Sequence, residues 1–146
     1  MSDNNKTILQ YAGDDLFVGV SASGHAHVLD FGGAKRAGSP VEYLLLALGG
    51  CTGADVVSIL RKMRQDVTGY RVEVEGRRRE EHPRAFTRIE VKHVLTGRGL
   101  DPNAVTRAIQ LSAEKYCSVA ATLQPTAEIV SSFEIVEADA PSTGPQ

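Results

Sequence analysis

The chain has 146 residues, 42% of them hydrophobic and 23% charged, with a formal net charge of −2, which fits one domain with a core of its own. That charge gives no field for holding nucleic acid or an anionic membrane surface. No uninterrupted apolar run reaches the roughly 20 residues of a membrane span.

The opening, MSDNNKTILQ, lacks the basic-then-apolar pattern of a secretory leader, so a cytoplasmic location is expected. Two cysteines, Cys51 and Cys117, without CxxC spacing, are too few for a disulfide framework. A redox pair remains open.

Short β-type runs cover residues 7–11, 16–22 and 25–31, separated by "GDD" and "SG" turns. The loop GGAKRAG follows, and then Ser39-Pro40-Val41-Glu42. A serine cap, a proline at the first helical position and a glutamate three residues after the cap make a strong helix start. Apolar positions continue at helical spacing to about Arg64. Gly49, Gly50 and Gly53 interrupt that helix around Cys51, at a cost of about 1 kcal/mol each relative to alanine. Gly49 and Gly53 stand one turn apart and bare the backbone on one side. Such a strip permits another helix to pack closely, or a ligand to reach the thiol.

Beyond Gln65 the pattern alternates again: YRVEVEGRR and FTRIEVKHVLTG read as two strands. Asp101-Pro102 opens a second helix, with Ala104, Val105, Ala108, Ile109 and Ser112 on one face. EKYCSVAATLQPT ends it in a further short turn of helix or loop, and AEIVSSFEIVE closes as a strand. The order is βββ–α–ββ–α–β, an α+β domain with antiparallel pairing. It spans residues 1–136, and residues 137–146 form a tail without apolar periodicity that is expected to be mobile.

Each chemical candidate has a plainer reading beside it. Cysteine is among the most buried residue types, but burial alone does not call for open backbone next to Cys51. A free thiol of pKa near 8.5 is only about 3% ionised at pH 7, so a reactive Cys51 needs a group that lowers this value. Asp55, one turn on, would raise it. Cys117 at the start of a helical turn would gain thiolate character from unpaired N–H groups, or is a core residue beside Val119, Ala120 and Leu123. Glu42 completes the capping box with Ser39, or orients an arginine near the thiol. Arg36 is the nearest upstream cation, or a solvated loop residue. The arginines of GRRREEHPRAFTR are interrupted by Glu80 and Glu81 and read as a solvated strand face rather than a nucleic-acid patch. His25 and His27 alternate on a strand without a third ligand nearby, a weak metal signal.

SPVEYLLLALGGCTGADVVSILRKMR, FTRIEVKHVLTGRGLD and LSAEKYCSVAATL together resemble the OsmC/Ohr family (osmotically inducible protein C and organic hydroperoxide resistance proteins), over residues 16 to 136. The match looks closest to its less characterised OsmC-like branch. The resemblance implies an intertwined homodimer with antiparallel sheets wrapped around long central helices, whose close approach the glycines would permit. It implies a stress-response, antioxidant thiol peroxidase acting on organic or lipid hydroperoxides. Cys51 would be the peroxidatic thiol and Cys117 the resolving one. No bound cofactor and no metal are implied, and an external dithiol of lipoyl type restores the thiols. In the family pattern a glutamate follows the proline directly, and an arginine sits in the N-terminal strands. Here Val41 follows the proline, Glu42 comes one residue later, and residues 1–35 contain no arginine. The activating device is absent, or rebuilt from Arg36, a hairpin arginine such as Arg84, or a partner subunit. The alternative is a non-catalytic OsmC-like dimer that binds a small apolar ligand near Cys51.

Overall fold

A computed structural model describes residues 5–138 of the chain. The elements run β1 (Ile8–Gly13), β2 (Leu16–Val20), β3 (Ala26–Asp30), α1 (Pro40–Lys62), β4 (Asp66–Arg78), β5 (Phe86–Arg98), α2 (Pro102–Leu111), a π turn (Ser112–Tyr116), α3 (Ser118–Leu123) and β6 (Glu128–Glu137). This is the α+β arrangement expected. Of the tail at 137–146, Glu137 ends β6, and Asp139–Gln146 lie outside the described residues. The chain forms two compact units, Met1–Leu44 and Leu45–Gln146, with the boundary inside α1.

The first unit is an antiparallel meander, β1–β2–β3. Tyr11, Phe17 and Phe31 cluster with ring centroids 5.5–6.3 Å apart. Ile8, Leu9, Tyr11, Val28 and Phe31 stay exposed. Asp30 accepts from the backbone N–H groups of Arg36 and Gly32, which hold its carboxyl below the usual range. Tyr43 donates to the carbonyl of Val28 at 2.8 Å, tying the first turn of α1 to β3.

In the second unit β4 and β5 pair antiparallel over thirteen-residue strands, and β6 joins β5 in parallel. That last pairing corrects the antiparallel expectation. The segment α2–π turn–α3 crosses back over the sheet, so β6 starts at the same end as β5, as a crossover connection requires. Asp101 caps α2 by accepting from the Asn103 N–H at 2.9 Å. Val105, Ala108, Ile109 and Ser112 are buried, as their shared face predicts. Val105, Ala108 and Ile109 meet Val56 and Leu60 of α1 and Leu95 of β5 in the core.

α1 ends two residues before the predicted Arg64. Arg64 adopts a left-handed φ of 60°, and Gln65 N–H reaches back to the carbonyl of Leu60 at 3.0 Å, a Schellman-type stop. By length and composition α1 is apolar enough to pass for a membrane span, although glycine and polar residues such as Thr52, Asp55 and Ser58 break its apolar run. Its Leu48, Thr52, Gly53, Val56 and Leu60 are instead buried. At Gly49 and Gly53 the bare strip of α1 faces the chain's own sheet. A Cβ on Gly49 would stand 3.1 Å from Val74 Cγ2, and one on Gly53 would stand 3.3 Å from Val72 Cγ2.

His93 of β5 is fully buried. Its Nδ1 shares a hydrogen bond of 2.6 Å with the hydroxyl of Tyr70, which burial keeps protonated, and the rings are stacked 5.9 Å apart. Nε2 finds no hydrogen-bond partner among the described residues. Burial pulls the imidazole down to about 4 from 6.5.

Two outcomes are expected. Gly53→Leu drives a branched side chain into Val72 and Tyr70 and should lower stability by about 1–3 kcal/mol in urea unfolding; an unchanged midpoint would count against the close seating of α1. The unfolded chain protonates His93 first, so its contribution is full above pH 6.5 and fades as the pH falls to about 4. Stability should drop through that window by on the order of 3 kcal/mol, and His93→Phe should flatten the drop. An equal drop in the variant would assign the acid sensitivity elsewhere.

Candidate functional site

On a helix, positions two apart point roughly 200° from each other. Cys51 and Asp55, one turn apart, therefore lie on the side of α1 opposite Gly49 and Gly53. There they meet the segment that follows α2. The π turn is closed by the Cys117 N–H donating to the carbonyl of Ser112 at 2.9 Å. The inserted residue shifts the chain out of α-helical register and delivers Cys117 as the N-cap of α3. Its Sγ accepts from the Ala120 N–H at 3.3 Å. Cys117 is buried and Cys51 half-buried.

The two sulfurs and a carboxylate oxygen of Asp55 all lie within 4.8 Å of one another. Ser118 Oγ stands 4.0 Å from Cys51 Sγ. A buried chain of hydroxyls aims the carboxylate: Ser112 donates to Asp55 Oδ2 at 2.8 Å, and Thr52 pairs with Ser112 at 2.9 Å.

The two thiols have different proton affinities. Burial pushes Cys51 up, but the Val119 N–H, the Cys117 thiol and the Ser118 hydroxyl together outweigh it, even with Asp55 pushing upward. The balance lies below the ordinary thiol value. Burial pushes Cys117 up to about 11, which the Ala120 N–H offsets only in part, and Cys51 adds to the rise. Cys117 therefore holds its proton more firmly than Cys51, and Cys51 is the better nucleophile of the two.

The other predicted residues are engaged locally. Glu42 accepts from the Ser39 N–H at 3.1 Å and donates its own N–H to Ser39 Oγ at 3.2 Å, a complete capping box. Arg36 pairs with Asp30 at 3.6 Å and donates to the carbonyl of Asp14. Arg84 donates to the Arg79 carbonyl at 3.4 Å within its hairpin. Arg71, Arg79, Arg88 and Arg98 each pair with a carboxylate, as a solvated strand face would. His25 Nδ1 meets Ser23 Oγ at 2.9 Å, and His27 stands edge-on to Tyr43. Sequence reasoning missed the Thr52–Ser112–Asp55 chain. Its signal was two hydroxyl residues at apolar-face positions of the two helices.

A paired-thiol site carried on a long helix and on the crossover of an α+β fold defines the class. Residues 32–132 match the family described as OsmC-like protein, and the chain belongs to that family. It is 51% identical over 122 residues to Protein YhfA of Escherichia coli K12, covering 84% of this chain and 91% of that one. The crystal structure of a hypothetical protein from Aquifex aeolicus VF5 superposes with a TM-score of 0.84 at 31% identity, covering 94% of this chain and all of the other. An organic hydroperoxide resistance protein from Elizabethkingia anophelis shares the fold at a TM-score of 0.70 and 9% identity, covering 93% and 99% of the two chains.

Alkylation by iodoacetamide should rise at Cys51 through an apparent pKa below that of free cysteine, while Cys117 stays unmodified until the pH nears 11. Asp55→Asn removes a negative charge and should move the Cys51 profile to lower pH. A profile that stays put or moves upward would remove Asp55 from the electrostatics of the pair.

Proposed function

We propose that the chain is a thiol-dependent peroxidase reducing organic or lipid hydroperoxides, working as a homodimer in the cytoplasm. The observation that carries this reading is a pair of sulfurs within 4.8 Å whose surroundings lower one thiol and raise the other. The Cys51 thiolate attacks the hydroxyl-bearing oxygen of the hydroperoxide. The O–O bond breaks, the alkoxide takes a proton and leaves as alcohol, and Cys51 becomes a sulfenic acid. Cys117 attacks that sulfur, a disulfide forms and water leaves with the Cys117 proton. An external dithiol, of lipoyl type by family resemblance, then exchanges with the disulfide and restores both thiols. The exposed apolar side chains Leu9 of β1, Val28 of β3, Phe31 just after it and Leu46 of α1 support a second copy as partner.

One observation favours the second reading, a dimer binding a small apolar ligand. An open cleft of about 360 Å³ beside the site is lined by Asp55, Ser58, Ile59, Lys62, Met63, Leu111 and Tyr116.

The deciding experiment is intact-mass spectrometry of fully reduced protein after a stoichiometric organic hydroperoxide. The peroxidase should lose the mass of two hydrogens, and Cys51→Ser should not. Cys117→Ser should stop at a sulfenic acid that dimedone traps. Unchanged mass with both thiols free would overturn the peroxidase in favour of the ligand-binding reading.

A further inference from the structure

Asp55 has no part in the chemistry above and works against it, because a carboxylate beside two sulfurs disfavours their ionisation. Yet its position is maintained by the buried hydroxyls of Ser112 and Thr52, bonded at 2.8 and 2.9 Å. Among the described residues no lysine, arginine or histidine forms an ion pair with it. An anion fixed against two potential anions is an arrangement that a cation would complete.

We propose that Cys51, Cys117 and Asp55 form a binding site for a thiophilic divalent cation, with zinc the best match. Two sulfurs and one carboxylate oxygen are a donor set zinc accepts, and a metal preferring only hard oxygen ligands would not choose it. At zinc bond lengths the ligand atoms of a tetrahedral site stand about 3.6–3.8 Å apart. The three atoms here, within 4.8 Å, need to close by only about an ångström at most. Ser112 and Thr52 supply the outer hydrogen bonds that orient a ligating carboxylate. Half-exposed Cys51 leaves the fourth position open to a solvent molecule or an incoming ligand. Loading displaces the proton from each thiol still carrying one, with no change of oxidation state, so affinity falls as the pH falls. A metal holding both sulfurs denies Cys51 to electrophiles and keeps the pair from closing into a disulfide. The site thus stands independently of the peroxidase reading, since a chain inert to hydroperoxide can still bind zinc.

The test uses the metal alone. Fully reduced, metal-free protein is titrated with Co²⁺ under anaerobic conditions and then challenged with Zn²⁺. One Co²⁺ per chain should bind, with thiolate-to-metal charge-transfer absorption and the intense visible bands of tetrahedral coordination, and one equivalent of Zn²⁺ should displace it. Cys51→Ser and Cys117→Ser should each weaken binding at least about 100-fold, and Asp55→Asn about 10-fold or more. The apo Asp55→Asn protein should keep two titratable thiols and an unchanged circular dichroism spectrum. Zn²⁺ should also slow iodoacetamide alkylation of Cys51 at least about 10-fold. Absence of the charge-transfer band, or an Asp55→Asn protein that binds as tightly as the parent, would overturn the site. Because no peroxide is present, either result leaves the mass-spectrometric test of the peroxidase untouched.

Discussion

How closely α1 lies on β4 governs much of the second unit. The helix comes down onto Val72 and Val74 through the bare backbone of Gly49 and Gly53, where a Cβ would crowd the valine methyls at 3.1 and 3.3 Å. Close-packed interiors transmit such crowding instead of absorbing it. On the far side of the same turns, α1 must meet the π turn at hydrogen-bond distance, through Thr52, Asp55 and Ser112. The helix is thus gripped on two faces, one by van der Waals contact and one by hydroxyls. Cys51 rides between them and inherits its position from both.

The second theme is how one chemical group, used twice, acquires two characters. Cys117 is sealed in the core as a helix cap, where burial dominates and its proton is held. Cys51 sits half in solvent with an N–H, a thiol and a hydroxyl within its reach. Pushing paired groups apart in proton affinity is a common route to dividing roles between them. Here the work is done by backbone and hydroxyl dipoles, while the cations read from the sequence, Arg36 and Arg84, are occupied elsewhere.

The elements of the fold were legible because local signals agreed: the Ser39–Glu42 capping box, the Asp101-Pro102 start and the strand runs of β4 and β5 each appear. The direction of β6 was not, since the same alternating residues suit either pairing and only the length of the crossover decides. For the site, both cysteines stood out by type, but their convergence depends on a π turn whose extra residue leaves no mark in the apolar period. Thr52 and Ser112 were visible as polar residues on buried faces. Asp55 was read for its effect on the Cys51 thiol, but its bond to Ser112 depends on the packing of two distant segments. The glycine strip was seen for what it permits, close approach, while the identity of what approaches belongs to tertiary structure.

The parallel pairing of β5 with β6 also sets a calendar for the thiols. Cys117 lies inside the crossover between β5 and β6, and β6 is made after both cysteines and is the last strand among the described residues. Contacts so distant in sequence form late. At about 5–20 residues per second, a growing chain exposes Cys51 for several seconds before its partner even exists. During that interval Cys51 is an unpaired thiol on a nascent helix, without the buried hydroxyl chain or the α3 amide beside it. The meeting of the two thiols is therefore a late event in the making of this chain, set by the crossover that β6 closes against β5.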